Sequence, residues 1–245
     1  MIPAVYATSP SPDVSGRYVF VPTHEYVTAL ESMGWQMESA KAPKSRKSDP
    51  QYGLHSVTFR CQWDSNGTQA LGGLVPRIHM LNSHNGTSVA DFLLGIFRIV
   101  CGNGLMVSSG DISAVSFRHN RSAKDVATTL SELFKSDAMA AIEKARRWNE
   151  IPLTAEQQID FAAQARTLRF GAQSTVEPIA LLEVRRNADA GNSLWNTFNR
   201  IQENVMQGGV RFNGMRRRAR AVKNISKEVS LNKDLWAIAE SFATA

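Results

Sequence analysis

Cysteine is nearly absent from this chain: Cys61 and Cys101 are the only two in 245 residues, and no C-x-x-C pair occurs. Two cysteines cannot build a disulfide framework or a cysteine-rich zinc site. Both sit inside apolar patterns and are expected to be reduced core thiols. Long apolar runs are also missing. No stretch approaches the roughly eighteen uninterrupted apolar residues of a membrane helix. The first eighteen residues have neither the charged start nor the apolar stretch of a signal peptide. A cytoplasmic protein with no membrane partner is the expectation. The chain has no G-x-x-x-x-G-K-[ST] loop and no G-x-S-x-G elbow, so nucleotide hydrolysis on a P-loop and serine-based hydrolysis have no support. Neither a zinc finger nor a helix-turn-helix with a base-contacting helix is found, and direct reading of base sequence is not expected. One local absence points the other way: residues 208–227 contain no Asp or Glu.

In that same stretch stand Arg211, Arg216, Arg217, Arg218, Arg220, Lys223 and Lys227, seven cations in twenty residues, on a chain of formal net charge +6. Like charges at this density repel unless they are solvated or set against an anion. The phosphates of DNA or RNA supply such an anion, with steep salt dependence and little sequence preference. A solvated face between two helices, with arginine stems packed on the protein, explains the same residues without a ligand. A smaller cluster, Lys41, Lys44, Arg46 and Lys47, falls in a Ser/Pro-containing stretch that ends near Pro50 and reads as a loop.

With 43% hydrophobic residues, the chain can bury a substantial core in one large domain or two closely packed ones. The pattern predicts an extended N-terminal arm over residues 1–17 and a single α+β domain over 18–245. That domain is β-rich from 18 to 120 and helical from 121 to 245. Thr23 precedes Val27, Leu30 and Met33 at helical spacing, and Gly34 stops that short helix. From His55 to Trp63 the residues alternate strictly, with Val57, Phe59, Cys61 and Trp63 on one face, as in a half-buried strand. Leu74 to Asn82 reads as its antiparallel partner, and Leu105 to Ser108 with Ser113 to His119 as a further hairpin, giving an antiparallel sheet of about four strands. Ser88 and Asp91 have capping-box spacing ahead of an apolar stripe of Phe92, Leu93, Ile96, Phe97 and Val100, which predicts a helix from Val89 to Cys101. Further helices are expected over residues 123–148, from the Thr154/Gln157 capping box to Phe170, from Ser193 to the Gly208-Gly209 pair, and from Lys233 to Ala243.

Several blocks recur in a recognisable order: V-P-T-H-E at Val21 to Glu25, L-N-S-H-N-G-T-S at Leu81 to Ser88, F-R-I-V-C-G-N-G-L at Phe97 to Leu105, L-W-N-T-F-N-R-I-Q-E-N at Leu194 to Asn204, and L-N-K-D-L-W-A-I-A at Leu231 to Ala239. In these the chain resembles the phage/plasmid-like domain-of-unknown-function family numbered 932, over most of residues 18 to 243. The resemblance implies a mobile-element setting. That family is defined without an established activity, so no catalytic residue carries over.

Two groups of residues outside the basic run are site candidates. Asn82, His84 and Ser88 crowd the junction of a predicted strand and helix, where backbone N–H groups at a helix start would favour an anion. An Asn/Gly turn with a Ser88 cap accounts for the same residues. His79, His84 and Asp91 match no zinc spacing, and neither metal nor cofactor is expected. Arg60, Arg77, His79 and Arg118 fall on or near the polar alternates of their strands and would share one open sheet face, which in a one-sided sheet is also the ordinary face toward water. Three functions remain from different classes. The first is binding of single-stranded DNA through backbone phosphates, with strand annealing in recombination or replication and a homo-oligomer as its companions. The second is a counter-defence protein that binds a host defence complex. The third is an enzyme with an unfamiliar polar site around Asn82, His84, Asp91 and Asn103, no catalytic role being assignable.

Overall fold

A computed structural model describes residues 2–43, 49–61, 73–98, 104–105, 114–117 and 122–244. The chain is α+β, with an antiparallel sheet in the first half and helices through the second. In chain order the elements are α1 (Thr23–Glu31), β1 (Trp35–Lys41), β2 (His55–Cys61), β3 (Leu74–Asn82), β4 (Ala90–Arg98), β5 (Gly104–Leu105), β6 (Ala114–Phe117), α2 (Ala123–Glu150), α3 (Ala155–Phe170), α4 (Leu194–Gln207) and α5 (Ile225–Ala243), with short 3-10 turns at Pro3–Tyr6, Pro178–Leu182 and Asn187–Asp189. No helix among the described residues is long and apolar enough to cross a membrane.

The chain divides into two compact units, one of residues 1–67, 75–97 and 109–140, the other of 68–74, 98–108 and 141–245. The sheet order is β1-β2-β3-β4-β5, with β6 also paired to β4. Between β2 and β3 the antiparallel register sets Phe59 opposite Ile78 and Arg60 opposite Arg77, so the alternation in the sequence becomes two chemically distinct faces. Phe59, Cys61, Ile78 and Met80 point into the core of the first unit, with Tyr26 and Leu30 of α1 and Val126, Leu130 and Phe134 of α2. Cys61 is a free, buried thiol; Cys101 lies outside the described residues.

Three elements differ from the sequence reading. Within the segment predicted as a helix from Val89 to Cys101, Ala90–Arg98 form strand β4. Its apolar run is nearly continuous, and Phe92, Leu93 and Leu94 are all buried, so it satisfies a strand covered on both faces as well as it satisfies a helical stripe. Strand β1 was not anticipated, which with β4 brings the sheet among the described residues to six strands instead of about four. Helix α5 begins at Ile225, eight residues before Lys233, capped by the Asn224 side chain, which accepts from the Lys227 N–H.

The second unit is organised around α4, which is buried on every side. Its apolar side carries Trp195, Phe198 and Ile201. Phe198 meets Trp148, Phe161, Trp195 and Trp236 with ring centroids 5.6–6.5 Å apart, and Trp148 packs on Trp236 at 4.2 Å, within the range where aromatic pairs attract. The polar side chains are largely buried too, and they are hydrogen-bonded to neighbouring elements. Arg186 donates through Nε and Nη2 to the Glu203 carboxylate, Arg200 donates to Gln158 at 2.8 Å, and Gln202 to Asn232 at 3.1 Å. The L-W-N-T-F-N-R-I-Q-E-N block is therefore an architectural helix.

Candidate functional site

The basic run leaves α4 through Gly208 and Gly209, both at positive φ, 67° and 85°. It folds into an irregular hairpin: Gly209 N–H donates to Ala219 O at 2.8 Å, Ala219 N–H returns a bond to Val210 O at 2.8 Å, Arg211 faces Arg218 across the pair, and Phe212 N–H donates to Arg217 O at 3.3 Å. Asn213, Gly214 and Met215 make the tip. A local pattern of Gly-Gly, alternating side chains and Asn-Gly supports such a turn. The base of the hairpin is held by Asn204, a fully buried side chain whose Nδ2 donates to the carbonyls of Leu181, Glu183 and Arg200 at 2.9–3.0 Å. Asn204 Oδ1 accepts from Arg185 Nε at 2.6 Å, and the other end of that guanidinium reaches the Gly208 carbonyl.

Gly208 has no room for a side chain. A Cβ there would stand 2.6 Å from the Ala219 carbonyl oxygen and 2.7 Å from the Arg220 carbonyl carbon, both backbone. Gly208→Ala is expected to destabilise the protein by about 1–3 kcal/mol from the positive φ alone, with the clash added. The hairpin should unseat first, seen as faster amide exchange at Gly209 and Ala219 than in the rest of the second unit. Unchanged exchange at those two amides would contradict this geometry.

Seated this way, the hairpin forms one side of a recess of about 580 Å³ lined by Arg169, Phe170, Phe212, Arg217, Arg218 and Arg220, with Ala219 and Ala221 between them. Among the described residues no carboxylate lines it, and none forms an ion pair with Arg211, Arg216, Arg217, Arg218 or Arg220, all of which are exposed. Arg169 is placed by the end of α3: its Nη2 donates to the Arg220 carbonyl at 3.1 Å and its Nε to the Val205 carbonyl at 3.3 Å. Burial lowers its pKa, yet a guanidinium keeps its charge at neutral pH. Arg217 lies over the Phe212 ring, 4.6 Å from its centroid, and Phe170 meets Phe212 edge-on at 5.8 Å. Arg218 donates to the Gly209 carbonyl at 3.1 Å.

Of the residues predicted from the basic run, Arg217, Arg218 and Arg220 converge on this recess. Arg211 and Arg216 are exposed elsewhere on the hairpin, Lys223 comes after it, and Lys227 lies in the first turn of α5. Arg169, Phe170 and Phe212 were missed. Phe212 had a local signal, an aromatic residue beside a basic run. Arg169 and Phe170 come from a helix some forty residues upstream, with no signal of their own.

On the sheet of the first unit, Arg60 pairs with Arg77 and Thr58 with His79 across β2 and β3, so these four share the polar face. Arg77 is engaged by Glu38 of β1, which cancels its charge there and leaves Arg60 exposed. Arg118, Lys44, Arg46, Lys47 and Asn103 lie outside the described residues. His79 accepts or donates at 3.1 Å to the Thr58 hydroxyl, and burial, then Arg77 and Lys41, hold its pKa down to about 4. Burial also lowers that of His55. An unfolded histidine takes its proton near pH 6.5, so the folded state is at full strength above that pH and loses stability as the pH falls toward 4. His79 alone should remove on the order of 2 kcal/mol between pH 7 and pH 4.5. Urea midpoints at the two pH values measure this, and His79→Asn should flatten most of the difference. An equal drop in the variant would contradict the assignment.

Asn82 and His84 sit in a closed polar network with Thr23 and His55, all fully buried. His55 Nδ1 must donate to the Gly53 carbonyl at 3.0 Å and His84 Nε2 to the Ala4 carbonyl at 2.9 Å, because a carbonyl only accepts. His55 Nε2 is then an acceptor, and the Thr23 hydroxyl donates to it at 2.8 Å while accepting from Asn82 Nδ2 at 2.9 Å. Every proton in this chain of bonds is assigned by its neighbours. The network joins V-P-T-H-E to L-N-S-H-N-G-T-S and fastens the Pro3–Tyr6 turn to the sheet. Beyond Ser88 the chain enters β4, so the helix start expected at Ser88 is not formed, and the Ser88 hydroxyl donates to the Val89 carbonyl at 2.9 Å. Asp91 accepts from Ser116. Among the described residues no group of three His, Cys, Asp or Glu could hold a metal ion.

A family model described as Domain of unknown function (DUF932) matches residues 12–236. Two proteins of Escherichia coli (strain K12) are similar along the whole chain: UPF0380 protein YafZ at 32% identity and UPF0380 protein YfjQ at 31%, each aligned over 100% of this chain and 89% of the relative. No solved structure matches. The first four sequence blocks fall inside the matched span and the fifth begins inside it, and the chain belongs to this DUF932 family.

Proposed function

We propose that this protein binds single-stranded nucleic acid, DNA in the first instance, through its backbone phosphates at the arginine hairpin. The observation that carries the reading is the recess itself: four guanidiniums converge on one concavity with no carboxylate among the described residues of its lining. Arginines packed against acidic neighbours would be structural; here no acidic neighbour among the described residues of the lining supplies a counter-charge, which favours an anion from outside. Backbone phosphate meets that need without requiring any base sequence, in keeping with a chain that has no base-reading helix. The setting proposed is the cytoplasm of a cell carrying the element, and the proposed role is to cover or pair single strands during recombination or replication, with several copies along one strand.

Fluorescence anisotropy with a labelled single strand and its duplex, at equal length and low salt, tests this. The single strand should bind and the duplex should bind less tightly. Absence of binding to either would overturn the proposal, and a preference for the duplex would overturn its single-strand part.

A further inference from the structure

We infer that the recess beneath the hairpin is a pocket for one nucleotide, holding an unstacked base of the bound strand beside its phosphate; this rests on the nucleic-acid reading above and makes it more specific. A surface that bound phosphate alone would need only guanidiniums. This one also has two rings, Phe170 and Phe212, each half-buried and open to the cavity, where an exposed aromatic lining has no part in the core. The cavity, about 580 Å³, falls in the range of about 300–1,000 Å³ typical of small-molecule sites, ample for a single base with its sugar and phosphate.

The flat surfaces are already fixed before a ligand arrives. Phe212 is held edge-on by Phe170 and covered by the Arg217 guanidinium. Arg169 is held from behind by the Val205 and Arg220 carbonyls and lies 5.3 Å from the Phe170 centroid. Bases stack on aromatic rings and on arginine planes alike, so the Phe212–Arg217 pair offers a stacking surface that also carries charge. Arg218 and Arg220 stand beside it, and the charge of all four guanidiniums remains available to phosphates of the strand. An acidic peptide would neutralise the arginines but leave the ring walls unmatched, and an apolar ligand would strip water from four charges with nothing in return. A nucleotide matches both. It also gives a physical reason for choosing single strands: a paired base cannot enter the recess without first leaving its stack.

The test compares a single-stranded oligonucleotide with an abasic deoxyribose-phosphate strand of equal length and charge, against the wild-type protein and Phe212→Leu. In the wild type, loss of the bases should weaken binding about five- to a hundredfold. In Phe212→Leu the two strands should bind within about twofold of each other, for want of the stacking platform. Equal binding of both strands by the wild type would overturn the pocket while leaving the phosphate reading intact. Failure of both strands to bind would overturn both readings. A full base-dependent difference persisting in a folded Phe212→Leu protein would place the stacking elsewhere and overturn the assignment to this recess.

Discussion

Replacing Arg217, Arg218 and Arg220 together with alanine is expected to lower affinity for single-stranded DNA about a hundredfold at about 0.1 M salt. On a single strand each phosphate contact contributes roughly 0.7 to the slope of log affinity against log salt. Three lost contacts remove about 2 from that slope, which over the decade below molar salt is about two powers of ten. The three side chains are exposed, and their internal bonds amount to the Arg218 contact with Gly209 and the position of Arg217 over Phe212. The fold should therefore survive, with a change in stability within about 1 kcal/mol. Anisotropy at two salt concentrations gives both the loss and the change of slope. An unchanged affinity in a protein that melts like the wild type would remove the hairpin from the interface.

Phe198→Ala carries the largest expected cost to the fold, about 3–5 kcal/mol. Phe198 is fully buried and touches four other aromatic rings, so truncation opens a cavity in the centre of the second unit. Collapse of α4 onto the gap is blocked from the opposite side, where Arg200, Glu203 and Asn204 are pinned by their own bonds. Cavities that cannot relax lie at the upper end of the range. The corresponding fall in Tm is roughly 10 °C for a chain of this size. Because α4 also ends at the hairpin, binding should be lost at the same temperature as the structure. A loss under about 1 kcal/mol would mean that the ring cluster tolerates rearrangement and does not anchor the unit.

Much of the architecture was legible because it rests on local signals. Alternation marked β2 and β3, the Thr154/Gln157 box marked the start of α3, and Ser193 with the Gly208-Gly209 pair bracketed α4. Strand β1 was hidden by its own bulge: the register shifts between Met37 and Ser39, so Trp35, Met37 and Ala40 break the two-residue period that would have revealed it. Strand β4 was misread because a short run of large apolar residues carries no period that separates a covered strand from a helix.

The candidate site divides in the same way. A charge run is visible in one dimension; the recess is not, because it exists only where the end of α3 meets the hairpin. At Asn82 and His84 the difficulty is different. A turn rich in Asn, Ser and His has the same composition whether it faces a ligand or seals a buried network, and the two are separated by burial, which Thr23 and the Pro3–Tyr6 turn supply from far along the chain.

The most direct test of the central claim is the salt dependence of wild-type affinity for single-stranded oligonucleotides of increasing length. With four arginines on phosphate, the slope of log affinity against log salt should approach about −3 once the strand is long enough to span the recess and hairpin. A slope near zero, or affinity that does not depend on strand length, would contradict the account.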